Sequence, residues 1–138
     1  MRHHAPTWTL IDAIGIVAGI VVLGALAYPS YLQQVRTLHR ADAKAALLDV
    51  AARQERYFAT HHSYSSAPRD FAYAAFPAAI QPGNHVRYRL EVTLPSPTTF
   101  VATAVPQGSQ TSDGCGAFNL TSQGIQSVSG SGNVSDCW

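Results

Sequence analysis

Trp8-Thr9-Leu10-Ile11-Asp12 opens into an uncharged run from Ala13 to Tyr28 that stops at Pro29. Only MRHHAPT, residues 1–7, precedes it. A secretory signal peptide would place small residues and a cleavage site after its apolar run. Here the run passes straight into a long amphipathic segment without an Ala-x-Ala-like break before Pro29, so the apolar stretch reads as retained. It also holds a lone carboxylate, Asp12, near its start. A charge inside a membrane segment is expensive, and a plain anchor has no use for one.

Beyond Pro29 the helical pattern continues. Helix formers dominate from Leu38 to Ala59, and no Gly follows Gly24 in the stem. An unbroken helix over residues 9 to about 60 would span roughly 75–80 Å at about 1.5 Å per residue. A small head cannot bury that length, so the first half must project and find other surfaces: a bilayer at first, then neighbouring chains. Tyr31, Val35, Leu38, Ala41, Ala45, Leu48 and Ala52 advance at helical spacing and form one apolar stripe. Arg36, Arg40 and Lys44 fall on the opposite side, read as a solvated face or as a contact for lipid head groups or a neighbour's acid. Leu47, Ala51 and Phe58 start a second apolar side, which predicts a sandwiched helix: one side on a sheet, the other on neighbours. Gly15 and Gly19 make a GxxxG, a spacing that lets helices approach closely in an apolar medium. Pro29 removes the backbone bond to the Ala25 carbonyl and, with Gly24, predicts a joint in the helix.

The remainder, from His61 on, is too short to hold a large core, and a core that small is marginal without a staple. Cys115 and Cys137 can supply one, as a disulfide in an oxidising compartment, or can remain two buried thiols. Their separation does not suit a zinc ribbon. Val86 to Leu94 alternates apolar and polar, a strand with one buried face. Thr99 to Val105 reads as a second strand, Ala117 to Thr121 as a third, and Ile125 to Val128 as a fourth. Short turns between them imply an antiparallel meander. The fold class is therefore α+β: a long N-terminal helix with a protruding apolar half, its C-terminal half packed on an antiparallel sheet of three to four strands.

These residues resemble the type IV pilins. The family begins with a short basic leader, a Gly, Phe-Thr-Leu-Ile-Glu and an apolar helix with a Pro further on. This chain has Thr7, then Trp8 to Asp12, then Tyr28-Pro29-Ser30-Tyr31. The resemblance is closer to PilE-type minor pilins, on Arg40-Ala41-Asp42-Ala43-Lys44-Ala45-Ala46-Leu47-Leu48, Arg53-Gln54-Glu55-Arg56-Tyr57 and the terminal Cys137-Trp138. It departs at Thr7, where the family has Gly, and at Asp12, where it has Glu. It implies a leader at 1–7, an apolar transmembrane and assembly helix at 8–30, an amphipathic stem at 31–60 and a periplasmic or extracellular head at 61–138. It also implies cleavage between Thr7 and Trp8 by a prepilin peptidase, N-methylation of Trp8, and a register role for Asp12 against a neighbour's first amine.

The expected function is that of a minor pilin: a structural subunit that helps start or cap a type IV pilus, and so serves motility, adhesion or DNA uptake. Expected partners are major and minor pilins, the peptidase and the inner membrane before assembly. The chain would sit as a single-pass inner-membrane protein, head in the periplasm, before joining the surface pilus. Two alternatives remain: a type II secretion pseudopilin and a DNA-receptor pilin. Pseudopilins of the main sort have an Asp-rich calcium loop, whereas the C-terminal region here has only Asp113 and Asp136. A net charge of +1 is not the strongly basic footprint of a nucleic-acid partner, although Arg87 and Arg89 share one strand face. No enzyme is expected: the carboxylates are scattered, and no nucleophile elbow or phosphate loop appears. No cofactor or metal is expected either, since His61 and His62 are adjacent and diverge on a helix. The positive-inside tendency would put Arg36, Arg40 and Lys44 in the cytoplasm; the resemblance requires the reverse.

Overall fold

The structure, a computed structural model, describes residues 10–80 and 85–138. The leader with Thr7, Trp8 and residues 81–84, which include Pro82-Gly83-Asn84, lie outside the described residues. The chain divides into two units, the residues up to Val35 and Arg36–Trp138. Helix α1, Leu10–His61, runs through both and is long and apolar enough near its start to cross a bilayer. It continues through Pro29 without a break.

In the second unit five strands follow: β1 (Ala78–Ile80), β2 (Tyr88–Ser96), β3 (Thr99–Pro106), β4 (Phe118–Thr121) and β5 (Gln126–Val128). They are antiparallel neighbours in chain order, so the sheet is the expected meander. It has five strands rather than three to four. β1 was not expected, because Ala78-Ala79-Ile80 is too short to show alternation. β2 reaches Ser96, past the expected turn, and its pairing with β3 is irregular between Thr93 and Ser96. Pro95, which has no amide hydrogen to give the ladder, sits in that gap. A short helix, α2 (Val134–Cys137), closes the chain.

The core lies between α1 and the sheet. Large and small residues alternate across the strands: Leu90 pairs with Ala104 and Ala104 with Phe118, while Val92 pairs with Ala102 and Ala102 with Leu120. The small central alanines leave room for Ala43, Leu47 and Val50 of α1, which are fully buried in the same cluster. Ala43, Leu47, Val50 and Gln54 recur at 4, 3 and 4, the period of one helix face. Fully burying an apolar side chain of Val, Leu or Phe size contributes about 1.5–3 kcal/mol, so this face anchors the lower half of α1. Gln54 is the polar member. Its Nε2 donates to the Ser65 carbonyl at 2.6 Å and its Oε1 accepts from the Ser65 amide at 3.2 Å, which satisfies both sides of a buried carboxamide.

Candidate assembly interface

The two faces of α1 have separate fates. The stripe read from the sequence is the outward one: Leu38 is 61% and Leu48 54% exposed, while Leu47 of the second side is buried on the sheet. Exposed apolar residues at helical spacing on a packed helix mark a surface for another molecule.

The first unit is more open still. Every residue from Leu10 to Gln34 is exposed, including Ile14, Val17, Val21 and Leu23. Asp12 lies in the first turn of α1. A Cβ added at Gly15, Gly19 or Gly24 would meet nothing within 4 Å. Among the described residues nothing therefore requires glycine there, and the open positions suit the close approach of a second helix.

Arg36, Arg40 and Lys44 are the main correction. They are neither a solvated face nor a lipid contact. Spaced four apart, they line one side of α1 and grip the C-terminal part of the same chain. Arg36 donates to Ser112 Oγ at 3.1 Å. Arg40 forms a bidentate pair with Asp113, at 2.8 and 2.5 Å. Lys44 Nζ donates to the carbonyls of Cys137 and Trp138 at 3.1 and 3.0 Å. Asp113 also accepts from Gln110 Nε2 at 2.9 Å and from the Cys115 amide at 3.3 Å. Burial pushes its carboxyl up, but the bonds from Arg40, Cys115 and Gln110 and the Arg40 charge outweigh it, so it titrates below its ordinary value. Donating to the Asp113 carboxylate raises the Arg40 guanidinium in turn, against some desolvation.

Cys115 and Cys137 are bonded, with Cα atoms 5.8 Å apart. The loop they close is held at its start by Arg40, through Asp113, and at its end by Lys44. It is also laced by backbone bonds: Ser129 to Ala117, Gly130 to Cys115 and Gly132 to Gly114, at 2.9, 3.0 and 3.0 Å. The two segments lie so close that a Cβ at Gly130 would collide with the Gly114 oxygen. The Gly/Ser-rich tail, residues 129–138, is thus held by more than the disulfide. Trp138 seals it, donating from Nε1 to the Ser127 carbonyl at 3.1 Å with its ring edge-on to Phe118.

Of the two arginines that share one strand face in the sequence, Arg87 is engaged with Ser109 and Arg89 stays exposed on β2. Asp49 and Arg53 form an i, i+4 pair at 2.8 Å. Among the described residues no group of three or more His, Cys, Asp or Glu is placed to hold a metal ion. Sequence reasoning missed the Arg40–Asp113 pair and the Gln54–Ser65 clamp. The only signal for either was a polar residue on an otherwise apolar or stripe-forming helix.

A family model described as "Type IV minor pilin ComP, DNA uptake sequence receptor" matches residues 29–119. The chain is similar in structure to a type IV pilin from Shewanella oneidensis, with 26% identity and a TM-score of 0.51, over 75% of this chain and 97% of that one. No curated protein matches.

Proposed function

This chain belongs to the type IV minor pilin family, and we propose that it enters a type IV pilus as a minor subunit that helps initiate the filament near its tip. It is a structural protein and not an enzyme. The observation behind the reading is the exposed, apolar start of α1, whose glycines meet nothing among the described residues. Before assembly that segment rests in the inner membrane with the head in the periplasm; afterwards it packs among other pilins. A prepilin peptidase removes residues 1–7 at the Thr7–Trp8 bond. Gly15 and Gly19 admit neighbouring helices, and Pro29 with Gly24 lets the helix loosen in the filament.

Two findings support this topology. The disulfide suits an oxidising compartment. Arg36, Arg40 and Lys44 are engaged inside the head, so they do not act as free cytoplasmic-side charges. The pseudopilin reading is weakened further, because Asp113 is held by Arg40 rather than offered to calcium. DNA capture is a second reading, favoured by the description of the matching family model; the net charge of +1 weighs against it. Binding of duplex DNA by the full chain, weakening steeply with salt, is its test.

Asp12 sets the axial register by meeting the first amine of a neighbouring subunit. Asp12→Ala should therefore leave the protein folded in membranes but lower its share of sheared surface filaments, while Asp12→Glu is tolerated. Normal incorporation of Asp12→Ala would remove the assembly role of the carboxylate.

A further inference from the structure

We infer that a three-arginine pocket at the foot of α1 receives a carboxylate side chain from a neighbouring pilin subunit. The inference rests on the reading of the chain as a filament subunit and adds a contact that this reading does not specify. The pocket, of about 420 Å³, lies between α1 and the turn Pro68–Phe71. Arg53, Arg56 and Arg69 line it, with the Tyr57 ring and Phe71 as apolar walls.

Arg53 is fixed. Its Nε donates to Asp49 at 2.8 Å and its Nη1 to the Phe71 carbonyl at 2.8 Å. The Asp70 carboxylate on the rim is engaged as well, accepting from Ser65 Oγ at 2.5 Å. Arg56 and Arg69 are both exposed, and among the described residues neither guanidinium has a hydrogen-bond or ion-pair partner. Two forked guanidiniums therefore face a concavity beside a third whose donors are largely committed. A planar fork of N–H donors matches a carboxylate in bidentate geometry.

Charge balance selects the occupant. The arginines bring three positive charges, and Asp49 and Asp70 two negative ones. The remainder is +1, which a single carboxylate neutralises. A nucleic-acid backbone presents a row of phosphates and calls for a run of cations, which this chain of net charge +1 does not offer. The pocket is concave, so the partner group must project, as an Asp or Glu on a loop does. Such a contact orients one head against the next, a task for which electrostatic complementarity is suited more than for raw affinity.

The test compares the ratio of this chain in sheared filaments to membranes for wild type and for Arg56→Glu/Arg69→Glu. Both side chains are exposed, so the double variant should reach the membrane with its disulfide formed, while its ratio falls at least tenfold. Arg56→Lys/Arg69→Lys, which keeps charge but loses the fork, should fall between. An unchanged ratio in the charge-reversed variant overturns the inference. If wild type itself never enters filaments, the filament reading fails instead, and a second arm still decides the pocket. The full chain in detergent, with labelled arginine, is titrated with the peptide acetyl-Gly-Glu-Gly-amide, with inorganic phosphate and with a short DNA duplex. The peptide should shift the Arg56 and Arg69 Nε–H signals, identified by their loss in Arg56→Gln/Arg69→Gln, and the shift it causes at the Arg53 Nε–H should weaken at least tenfold in that variant. Shifts produced by phosphate or duplex but not by the peptide overturn the inference.

Discussion

Replacing Arg40 by Ala should cost the head about 3–5 kcal/mol, because it strands a buried carboxylate without its cation. The Asp113 side chain is 1% exposed, against 18% for Arg40. Of the bonds that Asp113 accepts, Arg40 supplies the two that are charged on both sides, at 2.8 and 2.5 Å. Bonds to charged groups contribute about 1.5–3 kcal/mol each, so those two account for the figure. Acid supplies a second signature. The folded Asp113 carboxyl titrates below its unfolded value, so its contribution is complete above the unfolded pKa and is lost as pH falls through the folded one. Without Arg40, burial raises that carboxyl against only the Cys115 and Gln110 bonds. The penalty of Arg40→Ala should therefore be full at pH 7 and shrink below about pH 4, where the wild-type advantage is titrated away. Urea unfolding of a soluble fragment, Tyr31–Trp138, at pH 7 and pH 3 measures both values. The Arg40→Ala/Asp113→Ala double variant should cost less than the sum of the single ones by at least ~1.5 kcal/mol. A penalty below about 1 kcal/mol at pH 7, or one equally large at pH 3, would refute the reasoning.

Reduction of Cys115–Cys137, which are 22 residues apart, should remove on the order of 3 kcal/mol, seen as a lower melting temperature. An unchanged melting temperature, with both thiols titrated, would count decisively against it. Gly130→Ala should destabilise the head by more than ~2 kcal/mol, since its methyl would lie 2.0 Å from the Gly114 oxygen and 2.6 Å from the Cys115 carbonyl carbon. Near-wild-type stability there would mean that the crossing of the C-terminal loop is looser than described.

The helix and the two long strands were legible in the sequence because their periods differ: the stem repeats at 3.6 and Val86 to Leu94 at 2. The short strand β1 was not, because Ala78-Ala79-Ile80 offers neither length nor contrast. The period also told which stem residues share a face without telling what that face meets. Arg36, Arg40 and Lys44 looked like a surface stripe because Ser112, Asp113 and the last two residues lie more than seventy positions away. A pair at that separation leaves no local pattern. Gln54 was hidden likewise: its carboxamide is buried at no exposure, and its partner is the backbone of Ser65, which any residue would supply. The arginine pocket depends on the turn Pro68–Phe71 bringing Arg69 beside Arg53 and Arg56, a placement set by packing and not by spacing. The exposed half of the candidate interface was the readable part, because a glycine-dotted apolar run without a core to enter is visible in one dimension.

The most direct measurement is intact-mass spectrometry of surface filaments sheared from cells that make the chain at its natural level, set beside the membrane fraction. A filament subunit should appear in the sheared material, with a mass that begins at Trp8 and includes the disulfide. A mass beginning at Met1 would contradict the Thr7–Trp8 cleavage alone. Abundance in membranes with none of the chain in filaments would contradict the account that the exposed start of α1 exists to pack among other pilins.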